Sequence, residues 1–439
     1  MPFGVDNLKR KERQNITEED IIDINNDGIP KNSRSDGPEL DIYDDSEEEK
    51  LNEYYLSIAY RLRVAKFISF TLLIVFVLCM LTAFSDDITT EKFRYLMKDM
   101  NIDVPVSESD FGNISYTEDP EAVFAIFKND IVSVGRQKVE IVDTAGNIVL
   151  NSDINYVQPR ISVGEKYFLI YDIAGCDFSV YNSFSVLYSE TLDYPISHAY
   201  MCDDGRLLII TKSDDYRCVA IMYNKDYEKA YTWKTNDKYV FDGVIRSDGS
   251  FTLLCASVSD GSFDCVTVDG NMKSEDVTVS PVKKDVIGIR FGEFADKKRV
   301  IFCTEGIIFE DEKGDIISKI NYNSDVCVLT SYTEKYALNI MDSSSLSAEN
   351  ILNVFSENGN IILTLPIAEH PLNVYFYGDE VYIMYTNEIV CINVKDGKKT
   401  KYASSSVINS LLQTENDILL AVGKTRAYPL EKKDFIEFN

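Results

Sequence analysis

The sequence predicts an all-β chain: a β-propeller of eight blades, preceded by one transmembrane α-helix and a disordered acidic tail. Three observations lead to this prediction. From residue 111 onward, short runs rich in Val, Ile, Tyr and Phe recur about every 8–12 residues, which is typical of antiparallel strands. Tight glycine turns repeat at a period of about 40 residues, the length of a four-stranded blade. Before them lies one uncharged apolar run long enough to cross a bilayer.

Residues 1–50 are predicted to form a disordered acidic tail in the cytoplasm. Residues 1–63 hold 16 Asp and Glu against 9 Lys and Arg, and apolar residues are sparse before Leu51. Such a segment cannot bury enough apolar surface to offset the entropy lost on ordering. Its functional interpretation is a docking motif for a cytoplasmic partner, and its structural one is a solvated spacer.

Residues 51–84 are predicted to form a juxtamembrane and transmembrane helix. The apolar run from Phe67 to Phe84 would extend about 27 Å as a helix, close to the hydrocarbon thickness of a bilayer. With Val64 included, the predicted integral span is Val64 to Phe84. The alternative is a buried core helix of a soluble protein.

Charges on either side of the run predict its orientation. Arg61, Arg63 and Lys66 lie at its N-terminal edge, and Asp86 and Asp87 follow its C-terminal edge. Because lysine and arginine favour the cytoplasmic side, the protein is predicted to lie in the cell membrane with its N-terminus in the cytoplasm and its C-terminal domain extracytoplasmic.

Residues 85–110 are predicted to be an extracytoplasmic stalk with a short amphipathic helix. Phe93, Leu96, Met97 and Met100 are spaced i, i+3, i+4, i+7, which places them on one helical face.

The propeller domain is predicted over residues 111–430, with a C-terminal tail at 431–439. The proposed turn glycines are separated by 124, 44, 45 and 38 residues, and the first gap is about three repeats long. They are Gly146, Gly270, Gly314, Gly359 and Gly397. Glycine suits such turns because they require a positive φ.

Eight blades follow from counting the predicted innermost strands, with seven as the alternative. These strands are predicted to start near Val123, Val157, Ile196, Val240, Val286, Val326, Leu372 and Val407. The last blade has only three strands of its own, and Asn113–Thr117 is predicted to supply the fourth and close the ring. Closure would leave no free edge between the two ends of the domain. Two stacked β-sandwiches are the competing fold.

The turn sequences resemble those of known propellers. The hairpins IVDTAGNIVL (141–150) and IFEDEKGDIISK (308–319) are similar to repeats of quinoprotein-like and WD-type propellers. The order of acidic tail, single membrane helix and Tyr-rich outer propeller resembles a family of membrane-anchored proteins of unknown function from Gram-positive anaerobic bacteria. This resemblance covers residues 60–430 and implies a fold and a location but no activity. The Trp-rich docking motifs of quinoprotein dehydrogenases are missing, since Trp233 is the only Trp, so we predict no cofactor.

Net charge and cysteine spacing predict the class of partner and the state of the thiols. The net charge of −28 disfavours nucleic acid, which requires basic patches. The nine cysteines form no C-x-x-C pair and mostly lie in apolar runs, so they are predicted to be free buried thiols. The alternative for one pair is a disulfide between Cys255 and Cys265 across a hairpin.

The sequence contains no catalytic or metal-binding signature that we recognise, and we predict no catalytic or metal residues. If a site exists, its candidates are the two histidines, His198 and His370, because each lies near the start of a blade, where side chains approach the channel. A structural role is the competing interpretation of both.

These features favour a non-enzymatic function: a membrane-tethered extracytoplasmic propeller that acts as a binding or scaffolding module at the cell envelope. Its expected partners are the membrane and an envelope protein, peptide or glycan. The alternative is a cell-envelope hydrolase or lyase that acts on a glycan in the propeller channel. Clustering of a histidine with several carboxylates in one cleft would favour the enzyme.

Overall fold

A computed structural model describes the backbone of residues 45–83 and 111–438, with gaps at 113, 260, 323–325, 343–348, 369, 404–406 and 431–435. Side chains are described for residues 54–76 and for most of 111–430. The chain divides into two compact units, Met1–Asp86 and Asp87–Asn439.

The first unit contains one helix, α1, over Asp45–Ala83. It begins inside the segment predicted as disordered, where Ser46 to Lys50 reads SEEEK. Glutamates are good helix formers and are stabilised by the helix dipole near an N-terminus. The rest of the predicted tail, residues 1–44, and the predicted stalk, residues 85–110, lie outside the described residues.

The predicted membrane span is not confirmed. Across the described residues, no helix combines the length and the apolarity needed to cross a bilayer. Arg61, Arg63 and Lys66 precede an uncharged stretch, of which the described side chains are those of residues 67–76. The side chains of residues 77–84, the end of the predicted span, lie outside the described set.

The second unit is built of 34 short strands within the described residues. Their bounds are β1 Ile114–Ser115, β2 Val123–Phe127, β3 Asp130–Val134, β4 Lys138–Val142, β5 Ile148–Asp153, β6 Pro159–Val163, β7 Phe168–Asp172, β8 Asp177–Tyr181, β9 Val186–Thr191, β10 His198–Met201, β11 Leu207–Thr211, β12 Cys218–Tyr223, β13 Lys229–Thr235, β14 Lys238–Ile245, β15 Ser250–Ser259, β16 Ser262–Asn271, β17 Val277–Val279, β18 Lys283–Lys284, β19 Gly288–Glu293, β20 Arg299–Cys303, β21 Gly306–Glu310, β22 Ile316–Asn321, β23 Val326–Tyr332, β24 Tyr336–Asp342, β25 Glu349–Ser356, β26 Ile361–Ala368, β27 Asn373–Tyr377, β28 Glu380–Met384, β29 Glu388–Asn393, β30 Lys399–Ala403, β31 Ser410–Gln413, β32 Leu419–Val422, β33 Arg426–Pro429 and β34 Ile436–Phe438.

The strands form eight antiparallel sheets, which confirms the prediction of an eight-bladed propeller. Blades 1 to 7 follow the chain and have innermost strands β2, β6, β10, β14, β19, β23 and β27; the innermost strand of blade 8 is β31. All eight innermost strands begin within three residues of the predicted starts. Because β31 lies beside β2, the sheets form a closed ring.

The ring closes as predicted, with a strand from the start of the domain. β1 pairs with β33 as the outermost strand of blade 8, and Ile114 lies opposite Ala427. Ile114 is fully buried, so this short strand contributes packing as well as backbone hydrogen bonds. Asn113, the first residue of the predicted segment, lies outside the described residues.

The C-terminal tail contains an additional strand that the sequence analysis did not predict. β34 pairs with β30 and becomes the fifth strand of blade 7. An outermost strand presents unpaired N–H and C=O groups, which a further strand can satisfy.

The hydrophobic core lies between neighbouring blades. Eight clusters of buried side chains among the described residues correspond to the eight interfaces around the ring. The Phe127 and Phe168 rings, whose centroids are 5.0 Å apart, join blades 1 and 2. Each fully buried side chain of this size contributes about 1.5–3 kcal/mol.

Four of the five predicted turn glycines have the expected positive φ, between 69° and 92°. Gly270 is the exception, because it lies within β16 directly opposite Phe251. A Cβ at Gly270 would come within 2.3 Å of the Phe251 ring. Glycine is therefore needed at this position because of the adjacent aromatic ring and not because of a turn.

All eight described cysteines are free. Cys255 and Cys265 are not paired because they lie on opposite faces of their sheet. Cys255 is opposite Val266, whereas Cys265 is opposite Ala256. Adjacent residues of a strand point to opposite faces, so the two thiols pack in different inter-blade cores.

Candidate functional site

A cavity of about 800 Å³ lies among blades 3 to 6. Its walls include the innermost strands β10, β14, β19 and β23. Its rim is formed by the turns that follow β14, β19 and β23 and by the turn between β21 and β22. Innermost strands converge around a propeller channel, so their side chains are the ones that meet across blades. We refer to this space as the cavity.

A polar belt of side chains links successive innermost strands at the base of the cavity. His198 Nε2 on β10 lies 3.0 Å from Asp242 Oδ1 on β14. Asp242 Oδ2 in turn accepts the backbone N–H of Phe291 on β19 at 2.9 Å. Arg290 Nη1 on β19 then donates to the backbone oxygen of Thr330 on β23 at 3.2 Å. Each side chain therefore bridges to the following blade.

The belt continues at two other junctions of the ring. Ser162 Oγ on β6 accepts the backbone N–H of Met201 on β10 at 2.9 Å. The hydroxyls of Tyr375 on β27 and Ser410 on β31 are 3.1 Å apart. The pairing of His198 with Asp242 is thus one example of a repeated structural link, as well as a feature of the cavity.

Two arginines in the cavity wall are each held by a carboxylate. Arg246 donates from Nε and Nη2 to the two oxygens of Glu293 at 2.8 and 2.9 Å. Arg299 donates from Nη1 and Nη2 to Asp269 at 2.9 and 2.7 Å. Thr252 links the two pairs, because its Oγ1 accepts from Arg246 at 3.0 Å and donates to Asp269 at 2.6 Å. Bidentate pairs of this kind fix orientation as well as charge.

A further ion pair is buried next to this network between blades 4 and 5. Lys283 Nζ lies 2.5 Å from Glu310 Oε1, and both side chains are 2% exposed or less. Burial raises the pKa of the Glu310 carboxyl, opposed by the nearby charges of Lys283 and Arg299. Neither Lys283 nor Glu310 lines the cavity, so the pair supports the wall.

Arg290 differs from the other two arginines. Its guanidinium stacks over Tyr332 at 5.2 Å from the ring centroid. Within the described part of the chain, no carboxylate oxygen lies within 4.0 Å of its nitrogens. The Tyr332 hydroxyl is largely buried, which raises its pKa and keeps the ring neutral beneath the cation. Arg290 is therefore an exposed, oriented cation at the base of the cavity.

The rim carries charges of both signs. Asp248, Lys297, Glu312 and Glu334 lie in the turns of blades 4, 5 and 6. Hydrogen bonds from the hydroxyl and then the backbone N–H of Ser250 lower the pKa of Asp248, which keeps this carboxyl ionised. Across all its lining residues, the cavity has six carboxylates and four lysine or arginine side chains. It can therefore bind a ligand that carries both a negative and a positive group.

The structure separates the two histidines that the sequence singled out. His198 lines the cavity, with 30% of its side chain exposed. His370 is an exposed residue before β27 with φ of 58°, and it is not among the cavity residues. Sequence reasoning missed Asp242, Arg290 and Tyr332. The available signal was a charge inside an innermost strand, as in GIRFG around Arg290, where an apolar residue would be ordinary.

No group of three or more His, Cys, Asp or Glu among the described residues is arranged to hold a metal ion.

A family model matches residues 111–427: the family of unknown function DUF5711. The chain belongs to this family. The DUF5711 region starts before β1 and ends within β33, so it contains all of β1 and the first two residues of β33, the two strands that close the ring. His198, Asp242 and Arg290 also lie inside it, whereas α1 does not.

Three solved structures are similar to this DUF5711 chain at low sequence identity. A crystal structure of a eukaryotic initiation factor is 11% identical with a TM-score of 0.51, over 75% of this chain and 90% of that one. Apo AztD from Citrobacter koseri is 10% identical with a TM-score of 0.45, over 65% and 86%. BamB from Moraxella catarrhalis is 10% identical with a TM-score of 0.35, over 68% and 98%. A search of curated proteins finds no match.

Proposed function

We propose that this protein is a binding or scaffolding module of the cell envelope, which holds its ligand in the cavity of a membrane-tethered extracytoplasmic propeller. The observation that carries the proposal is the preorganised set of charges in the cavity. Arg246 and Arg299 are fixed by bidentate carboxylates, and Arg290 is oriented by an aromatic face and a backbone oxygen. Groups already held in place lose little entropy on binding, which favours recognition.

The tether is supported by α1. Its apolar side chains are exposed around the helix, with Phe67 72%, Phe70 61% and Leu72 65% accessible. An exposed apolar surface of this kind requires a covering, and a bilayer supplies one. The positively charged N-terminal flank supports a cytoplasmic N-terminus.

Location is tested by extraction and protease protection on intact cells that make the full chain. The proposal predicts that the protein resists alkaline extraction from membranes and that added protease digests the propeller. Release into the alkaline supernatant, or a propeller protected until the cells are lysed, would contradict it.

Ligand capture tests the role of the cavity. The full chain, purified in detergent, is immobilised and exposed to envelope extract, and Arg290→Glu is compared with Lys284→Glu. Lys284 is exposed on β18, away from the cavity, so it is a matched charge reversal. The proposal predicts that a component retained by the wild type is lost with Arg290→Glu and kept with Lys284→Glu. Equal retention by both variants would contradict a cavity site.

A second candidate function is a glycan hydrolase or lyase in the same cavity. It is favoured by one observation: His198 lies against Asp242 in a cavity that contains several further carboxylates. A histidine oriented by a carboxylate is suited to general acid–base catalysis. In that case the full chain would release new reducing or unsaturated sugar ends from envelope glycan. His198→Asn would abolish the release, because its amide donates a hydrogen bond but does not exchange the proton.

A further inference from the structure

We propose that the cavity binds a short peptide with a free carboxylate, which Arg290 holds, while the acidic rim holds a positively charged group of the same peptide. This inference rests on the proposed binding function and specifies the ligand class.

Arg290 is the side chain that would bind the anionic end of the peptide. An arginine side chain has five N–H donors in a planar fork that matches the two oxygens of a carboxylate. Within the described residues, the polar contact of Arg290 is a single backbone oxygen, that of Thr330. The Tyr332 ring lies against the guanidinium, 5.2 Å from Cζ to the ring centroid, and the Arg290 side chain is exposed and lines the cavity. Arg246 and Arg299, by contrast, have their forks filled by Glu293 and Asp269.

The charge balance of the cavity favours a carboxylate over a phosphate. Its lining groups carry a net charge of −2, with histidine neutral. A doubly charged phosphate would meet this excess of negative charge with one open arginine. A single carboxylate needs only Arg290, and a second, cationic group on the ligand offsets the remaining excess.

The carboxylates of the rim would bind the cationic end of the peptide. Asp248, Glu312 and Glu334 come from the turns of three successive blades, and Lys297 is the one rim cation among the described lining residues. The N-terminal ammonium or a lysine side chain of a peptide would therefore be bound at the rim, while its carboxylate reaches the base. Acidic sugars supply the carboxylate without the ammonium, and they engage only half of the site.

Calorimetric titration of the full chain in detergent tests this inference. The probe is the tripeptide Lys-Ala-Ala with a free C-terminal carboxylate, compared with its C-terminal amide and with a trimer of galacturonic acid. We expect the amide to bind at least tenfold more weakly than the acid, because charge-assisted hydrogen bonds to Arg290 are lost. We expect the acidic sugar to bind more weakly than the peptide acid.

Two variants test whether the preference for the acid over the amide depends on Arg290. Arg290→Gln should weaken binding of the peptide acid at least tenfold and abolish the preference for acid over amide, and Lys284→Gln should change neither. Thermal unfolding confirms that both variants fold, and the acid–amide comparison on the wild type does not depend on any variant.

Three results would overturn the inference: equal affinity for acid and amide, tighter binding of the acidic sugar than of the peptide, or an Arg290→Gln variant with wild-type affinity. If envelope capture still depends on the cavity while the peptide acid does not bind, the ligand class is wrong and the binding function stands. If capture is also independent of the cavity, both are wrong.

Discussion

His198 both links two neighbouring blades of the ring and lines the cavity. Its ring nitrogen orients Asp242, whose other oxygen accepts a backbone N–H from the next blade. The sequence could indicate that a histidine near a blade start approaches the channel. It could not indicate the partner, because His198 and Asp242 are on different blades and meet only when blades 3 and 4 pack together.

We predict that His198→Ala lowers the free energy of unfolding by about 1–3 kcal/mol, since Asp242 loses a hydrogen-bond partner in a partly buried position. His198→Asn should recover part of this loss. His370→Asn is the control: His370 is exposed, asparagine tolerates its positive φ, and the expected change is within about 0.5 kcal/mol. Urea unfolding followed by circular dichroism measures all three. Equal losses at both histidines would refute the structural link.

Burial protects the thiols of this protein. Burial raises the pKa of both Cys202 and Cys265 to about 11. At pH 8 few of these groups are thiolates, which are the reactive form. We predict slow reaction of the buried thiols with a disulfide reagent in the native protein. After unfolding without reductant we expect nine thiols to react, those of the eight described cysteines and of Cys79. A lower count in the unfolded protein would reveal a disulfide that the structure does not contain.

At the scale of the strand, the sequence predicts most positions of strands and turns, and each exception has a physical cause. Turn glycines and apolar alternation are local signals, so the innermost strands were located to within three residues. The sequence VDGN predicts a turn at Gly270, yet Gly270 lies within β16, opposite Phe251 of β15. Only the strand register reveals that the missing side chain makes room for this ring. The same limit applies to Arg290 and Tyr332, which come from different blades.

The Lys283–Glu310 ion pair joins β18 to β21, and its burial leads to a prediction about stability. Glu310→Leu should destabilise the protein by about 3–5 kcal/mol, because it leaves the Lys283 cation buried without its partner. The double variant Lys283→Met with Glu310→Leu should be neutral or more stable than the wild type. Unfolding free energies at pH 7 distinguish these outcomes. A double variant as unstable as Glu310→Leu would contradict the account.

The pair also predicts a pH dependence. Because the folded-state pKa of Glu310 is raised, the native state retains a proton that the unfolded state releases. Its contribution to stability is present below the ordinary carboxyl pKa and is lost as pH rises through the raised value. Glu310→Gln should remove this component from the pH profile of the unfolding free energy. An unchanged profile would show that burial does not raise the pKa of Glu310 in the folded protein.

At the scale of the whole molecule, sequence and structure agree that the ring is closed by strands from the two ends of the domain. We predict that Ile114→Ala lowers the free energy of unfolding by about 2–5 kcal/mol, since Ile114 is fully buried in the outer strand of blade 8. Ile148→Ala, at a 56% exposed isoleucine, should change it by no more than about 0.5 kcal/mol. Hydrogen exchange should quicken in β31–β33 only for the first variant. Equal exchange in both would argue against closure through β1.

The central claim is that the protein engages its ligand through the cavity. The most direct measurement is photo-crosslinking in growing cells, with a photoreactive residue placed at Lys297 on the cavity rim or at Val407 near the start of β31. Val407 is exposed and precedes an innermost strand, so it lies at the end of the ring opposite the rim turns. The account predicts ligand adducts from Lys297 and none from Val407. Adducts from Val407 alone would contradict it.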